Sequence, residues 1–343
     1  MSATAHDIRM PPIRGEARLP RFAVIDVARG VAFAAMVVFH SAFDLSTLHL
    51  ASIDINGVGW RSFAKLIAST FLFLSGVSLA IAHSSGFRAT AYFRRLAILV
   101  AAAALVTLAT WYWLPEEFIF FGILHSIAVA SLVGFLFLGA PAGATLAVAA
   151  IVFAAPRLFT SPVFDTPALV WLGFGTVPPS TVDFEPVFPW LSPFLLGMAA
   201  AQLGLGRFAQ SPLANWRPKV SIGRALAFTG RHSLLIYLAH QPIIFGTLML
   251  VARVTPGNPP IPTQDPSILA QDRPFIEACQ TTCVKRGGSN GGCRSYCVCT
   301  AGELKRAGLW ENVLDDRYTP EIRQRLATAM QACASNRGQS DQH

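Results

Sequence analysis

Seven apolar runs, each about the length of a bilayer-crossing helix, occupy most of the first three quarters of this 343-residue chain. They fall near residues 22–43, 62–83, 96–114, 118–138, 144–160, 187–206 and 232–252. About 20 residues of helix cover the ~30 Å hydrocarbon core of a membrane. In lipid, a helix also satisfies its own backbone donors and acceptors. The expected fold class is therefore all-α, a polytopic membrane helical bundle of about seven transmembrane helices. The fifth run is the weakest, because Pro156 and Arg157 interrupt its end. The first has a mostly polar lead of 21 residues and no small-x-small site after it, so it reads as a span rather than a cleaved signal.

Charge supports this reading. Only 13% of the residues are charged, against about 25% in an ordinary soluble domain. That argues against a soluble enzyme, a disordered chain or a nucleic-acid binder, in spite of a net charge of +8. With the amino terminus inside, the cytoplasmic segments carry Arg9, Arg14, Arg18 and Arg21, then Arg88, Arg94 and Arg95, then Arg207, Arg217, Lys219, Arg224 and Arg231. The opposite face carries Arg61, Arg157 and Arg253. The excess of Lys and Arg in inner loops sets an N-in, C-out orientation. Three regions are expected: a cytoplasmic basic N-terminus (1–21), a transmembrane domain (22–253) and an extracytoplasmic tail (254–343).

All six cysteines lie in that tail. Cys279 and Cys283 are four residues apart, as are Cys293 and Cys297, with the glycine-rich stretch 287–292 between the pairs. Two antiparallel helices joined there would set pair against pair, suggesting Cys279–Cys297 and Cys283–Cys293 and leaving Cys299 for Cys333. An even cysteine count in a small domain with a poor core reads as a disulfide framework in an oxidising compartment. The rival is a zinc site, although the only histidine in the tail is the terminal His343 and no CxxC occurs. Thr319-Pro320-Glu321 has the form of an N-cap followed by Pro at the first helical position, so three short helices are expected.

Ionisable groups within spans are costly and mark function. The first span holds Asp26, Arg29 and His40, with Asp44 beyond. Asp26 and Arg29, three residues apart, are placed to pair on one helix face. His40 lies 11 residues past Arg29, roughly 16 Å along the axis and about 20° around it. Asp44, one turn further, is placed to hold the second nitrogen of the His40 ring. His125 sits at a similar depth in the fourth run. In the last run His240 and Gln241 precede Pro242, whose missing N–H frees a carbonyl one turn back. A kink with local hydrogen bonding explains that pair equally well. Glu116, Glu117, Asp183 and Glu185 fall in outer loops and read as solvated carboxylates. No Walker A, dinucleotide fingerprint or HExxH is present, and no metal is expected.

Ile25-Asp26-Val27-Ala28-Arg29-Gly30, followed by Val37-Val38-Phe39-His40, resembles the first helix of membrane acyltransferases with an Arg-x10-His motif. The closer likeness is to the branch containing heparan-alpha-glucosaminide N-acetyltransferase and its bacterial relatives. Four further segments carry it: Phe71–Ser78 (FLFLSGVS), Gly122–Ala128 (GILHSIA), Phe188–Met198 (FPWLSPFLLGM) and Gly230–Pro242 (GRHSLLIYLAHQP). The resemblance spans roughly 21–252 and excludes the tail. It implies transfer of an acyl group, usually acetyl, from cytosolic acyl-CoA to an amine or hydroxyl of a sugar or glycan on the outer face. On this reading Arg29, with Arg231, Arg94 or Arg95, anchors the anionic CoA. His40 acts as general base, Asp44 orients it, and His125 carries a proton or positions the acceptor. Asp26, Trp190, Ser233, His240 and Gln241 are polar substrate contacts or structural groups. Animal members carry a catalytic His in a His-Ala-x-Trp-Asn-Gly motif after the first helix. Here that loop reads His49-Leu50-Ala51-Ser52-Ile53-Asp54-Ile55-Asn56-Gly57, so direct transfer with His40 as base is expected. The implied setting is a bacterial inner membrane with the tail in the periplasm.

Other classes make different demands. A transporter or flippase with a proton relay predicts a repeat relating the two halves, and 22–114 shows no similarity to 144–252. A thiol oxidoreductase would use Cys297-Val298-Cys299 as a CxC. A membrane scaffold with an outer interaction module is the remaining alternative.

Overall fold

In the computed structural model, residues 21–48, 50–51, 53–55, 57–254, 266–286, 290–315 and 319–334 are described. The basic segment before Arg21, His49, and Gly287, Gly288 and Ser289 between the cysteine pairs lie outside them. The chain divides into two units, Met1–Pro256 and Gly257–His343.

The first unit is helical. Its elements are α1 (Ala23–Thr47), α2 (Val58–Ala82), α3 (Ala89–Trp113), α4 (Ile123–Gly134), α5 (Ala142–Leu158), α6 (Val187–Gln210), α7 (Ser221–Arg231) and α8 (Ser233–Val254). Five of these (α1, α2, α3, α6 and α8) are long and apolar enough to cross a membrane, while α4 and α5 are shorter apolar helices. Large apolar side chains on α3, among them Ile98, Leu105 and Leu108, are exposed, as are Trp111, Tyr112 and Trp113 at its end. An apolar surface closed by aromatic rings is what a lipid-facing helix presents at the interface.

Three boundaries differ from the sequence reading in ways that bear on function. α3 begins at Ala89 rather than near 96, so Arg94 and Arg95 belong to its first turns instead of a loop. The run near 118 does not start as helix: Phe121 bridges to Phe184 in extended conformation and α4 begins at Ile123. The stretch before the last span is a separate helix, α7, which packs on α1.

Glycine brings the helices together. A Cβ on Gly76 of α2 would run into the Phe194 carbonyl of α6, and one on Gly197 of α6 into the Phe73 carbonyl of α2. The α1–α7 contact repeats the device, Gly30 lying against Leu226 and Gly230 against Asp26. Without a hydrophobic drive between helices in lipid, close backbone approach and dispersion hold them. Phe194, Leu195, Met198, Leu72 and Leu79 fill the α2–α6 centre and are fully buried.

The second unit comprises α9 (Pro266–Lys285), α10 (Asn290–Arg306), α11 (Trp310–Leu314) and α12 (Pro320–Ala334). The short α11 is additional to the three helices expected. Disulfides join Cys279 to Cys297, Cys283 to Cys293 and Cys299 to Cys333. The apolar core is small, centred on Leu304 and Leu309 with Phe275 and Trp310, so covalent staples substitute for burial. Lys305 adds bonds of 2.6 Å to both oxygens of the buried Asp272. Thr319 Oγ1 accepts the Ile322 N–H and caps α12.

Candidate active site

One end of the first unit collects cations. Asp26 is buried and takes two bonds from Arg21, Nε to Oδ2 at 2.9 Å and Nη2 to Oδ1 at 3.1 Å, with Arg231 Nε 3.8 Å away. The expected Asp26–Arg29 pair is therefore not what the helix makes. α7 presses its Gly230 against the Asp26 backbone and delivers Arg231 to the carboxylate. Arg29 instead donates Nη2 across the helix interface to Ser78 Oγ, whose own hydrogen goes to the Leu74 carbonyl. Arg95 is half-buried within electrostatic reach of Arg29. Arg88 and Arg94 line an open depression at the start of α3. The result is a cationic end in which Asp26 binds Arg21 and lies near Arg231, while among the described residues neither Arg29 nor Arg95 forms an ion pair with a carboxylate.

Further along α1 lies a second polar group. The rings of His40 and His240 meet edge to face at 5.1 Å between centroids, and Phe33 flanks His240 at 5.6 Å. Asp44, 1% exposed, does not hold the His40 ring. Both its oxygens accept from Gln241 Nε2, at 3.0 and 3.2 Å. His240 is 8% exposed and donates Nδ1–H to the Tyr237 carbonyl one turn back, since a carbonyl only accepts. Its Nε2 and Gln241 Oε1 are buried with no partner.

His125 is committed elsewhere. The Gly122 N–H donates to its Nδ1 at 3.3 Å, at the first turn of α4. Thr107 spends its hydroxyl hydrogen on the Ile119 carbonyl at 2.7 Å, so the 3.2 Å contact with His125 Nε2 requires that nitrogen to donate. Both nitrogens are thus used in building the α4 entry. Trp190 packs against the central core cluster, and Ser233 opens α8.

Two carboxylates that the sequence leaves as solvated are not. Asp183 Oδ2 accepts the Ile123 N–H at 3.0 Å, sitting on the α4 N-terminus. Glu185 anchors its backbone to Phe121 at 3.1 Å, while its Oε2 is buried without a partner. Burial pushes the Glu185 carboxyl well above its ordinary range, and neighbouring Asp183 adds to the rise against a smaller opposing pull from Lys65. Burial also raises Asp183, partly offset by the Ile123 N–H. Both lie within electrostatic reach of Tyr237 on α8. The sequence signal for them was slight: two acids within four residues of an apolar run.

The profile of the family described as heparan-alpha-glucosaminide N-acetyltransferase, catalytic, matches residues 21–242, from the start of α1 to Pro242 in α8. The chain belongs to this family. It is a membrane acyltransferase whose matched region contains both polar groups described above and ends before the cysteine-rich unit. Neither the curated proteins nor the solved structures contain a match.

Proposed function

We propose that this acyltransferase moves an acyl group, acetyl above all, from cytosolic acyl-CoA to an amine or hydroxyl of an extracytoplasmic sugar or glycan. The observation that carries the reading is the pairing, on one helix of the matched region, of Arg29 in the cationic end with His40 in the second polar group. At 1.5 Å per residue they stand about 16 Å apart along α1. An extended phosphopantetheine arm suits such an offset. Its phosphates would meet Arg29, Arg95 and Arg231, with Arg88 and Arg94 at the mouth, and its thioester would reach towards His40. The acceptor's nitrogen or oxygen bonds to the acyl carbon as His40 removes its proton. The carbon–sulfur bond breaks, and the proton passes back to the departing CoA sulfur. The proposed setting is a bacterial inner membrane, N-terminus inside and tail periplasmic, supported by the bias of Lys and Arg and by the paired cysteines.

Melting of the purified protein with acetyl-CoA, longer acyl-CoAs and free CoA tests this. A ligand at 100 times its dissociation constant adds about 2.7 kcal/mol. Stabilisation by an acyl-CoA, lost in Arg29→Ala, is expected. No shift with any CoA would overturn the reading.

A further inference from the structure

Within the His40 group two buried polar atoms have no partner, His240 Nε2 and Gln241 Oε1. Their chemistry can be assigned. The Tyr237 carbonyl accepts, so His240 carries its hydrogen on Nδ1 and Nε2 is a bare lone pair. The Asp44 carboxylate accepts, so Gln241 turns its NH2 towards it and its Oε1 away. Successive residues of α8 thus hold two unpaired acceptors beside His40, and no donor among the described residues serves either. Leaving such atoms unpaired in a buried site carries a desolvation cost whenever the site is empty. What relieves it must bring hydrogen-bond donors.

Resting on the acyltransferase reading, we propose that His240 Nε2 and Gln241 Oε1 form the acceptor subsite, receiving hydrogens from neighbouring amine or hydroxyl groups of the substrate. The same polarity excludes the other substrate. A thioester carbonyl and CoA phosphates are themselves acceptors and would gain no hydrogen bond from these two atoms. His240 and Gln241 therefore position the group whose proton His40 removes, while acyl-CoA is held by the cations at the other polar group.

Glucosamine, which offers an amine beside hydroxyls, is the probe, with acetyl-CoA as donor and thiol release as readout. Two substitutions separate substrate binding from a merely structural bond. His240→Asn keeps a donor at the position of Nδ1 for the Tyr237 carbonyl but loses the acceptor at Nε2. His240→Gln places an amide oxygen where Nε2 stood. The full-length protein in nanodiscs is expected to show KM for glucosamine raised about tenfold or more in His240→Asn and largely restored in His240→Gln. The melting shift with acetyl-CoA should be unchanged in both. Restoration by Asn rather than Gln would overturn the inference in favour of a structural bond, as would equal rises in both KM values. A wild-type protein that binds acetyl-CoA but gains no thiol release from glucosamine would overturn it as well. Failure to bind acetyl-CoA would instead overturn the reading on which it rests.

Discussion

Three imidazoles lie within the apolar helices that build the site, and what separates them is which lone pairs are spoken for. His125 uses both nitrogens at the α4 entry, His240 uses one, and His40, among the described residues, meets the rings of Phe39 and His240 and makes no hydrogen bond. His40→Ala is therefore expected to lower turnover by roughly 10²-fold or more, the usual contribution of a positioned base, with melting little changed. His125→Ala is expected to do the reverse, lowering stability by about 1–2 kcal/mol through loss of the α4 turn while acetyl-CoA still binds. Glu185 makes a pH prediction. Its folded pKa is raised above the ordinary carboxylate value, so the folded state holds its proton longer than the unfolded chain does. Stability then falls as pH climbs from the unfolded pKa towards the folded one. Glu185→Gln removes that ionisation and should raise the melting temperature at neutral pH and flatten the slope. A variant that melts lower at neutral pH would mean the ionised carboxylate is required.

At the scale of the elements, the α2–α6 crossing depends on two glycines facing each other's partner backbone. Gly76 meets the Phe194 carbonyl and Gly197 the Phe73 carbonyl, with fully buried Phe194 and Met198 packed around them. Any Cβ at either position forces the helices apart and strips dispersion contacts along the seam. Gly76→Leu is expected to destabilise by more than about 2 kcal/mol, read as loss of monodisperse protein in detergent. Gly204, whose Cβ would meet nothing within 4 Å, should tolerate Ala on the same helix. The α1–α7 contact has a chemical consequence too. By seating Gly230 on Asp26 it brings Arg231 to that carboxylate, and Asp26 is drawn to Arg21 and Arg231 rather than Arg29. Arg29 is then available to reach Ser78 and, in the proposed mechanism, a phosphate.

Across the whole molecule, stability has two different sources. The first unit relies on lipid and close helix packing. The second, with its small core, relies on three disulfides closing loops of 10, 18 and 34 residues. Loop-closure entropy assigns about 4 kcal/mol to the longest, so Cys299→Ser with Cys333→Ser should expose the tail to protease. Thiol counting should find none before reduction and all six cysteines afterwards. Reactive thiols in the untreated protein would favour a redox role instead. The sequence by itself determined the class of fold and the family, because length and apolarity dictate helices in lipid and the five motif segments are local strings. It also carried the separation of Arg29 from His40, since both lie on one helix of known rise. Partners across helices were decided only by the tertiary structure. Asp44 meets Gln241, 197 residues away. Arg29 meets Ser78, and His40 meets His240. Glu185 likewise bonds its backbone to the distant Phe121, beside the bridge between Phe121 and Phe184. Helical periodicity reports which side chains share a face of one helix. Which face meets which neighbour follows from glycine-set crossings and loop returns, and those are sums over distant parts of the chain.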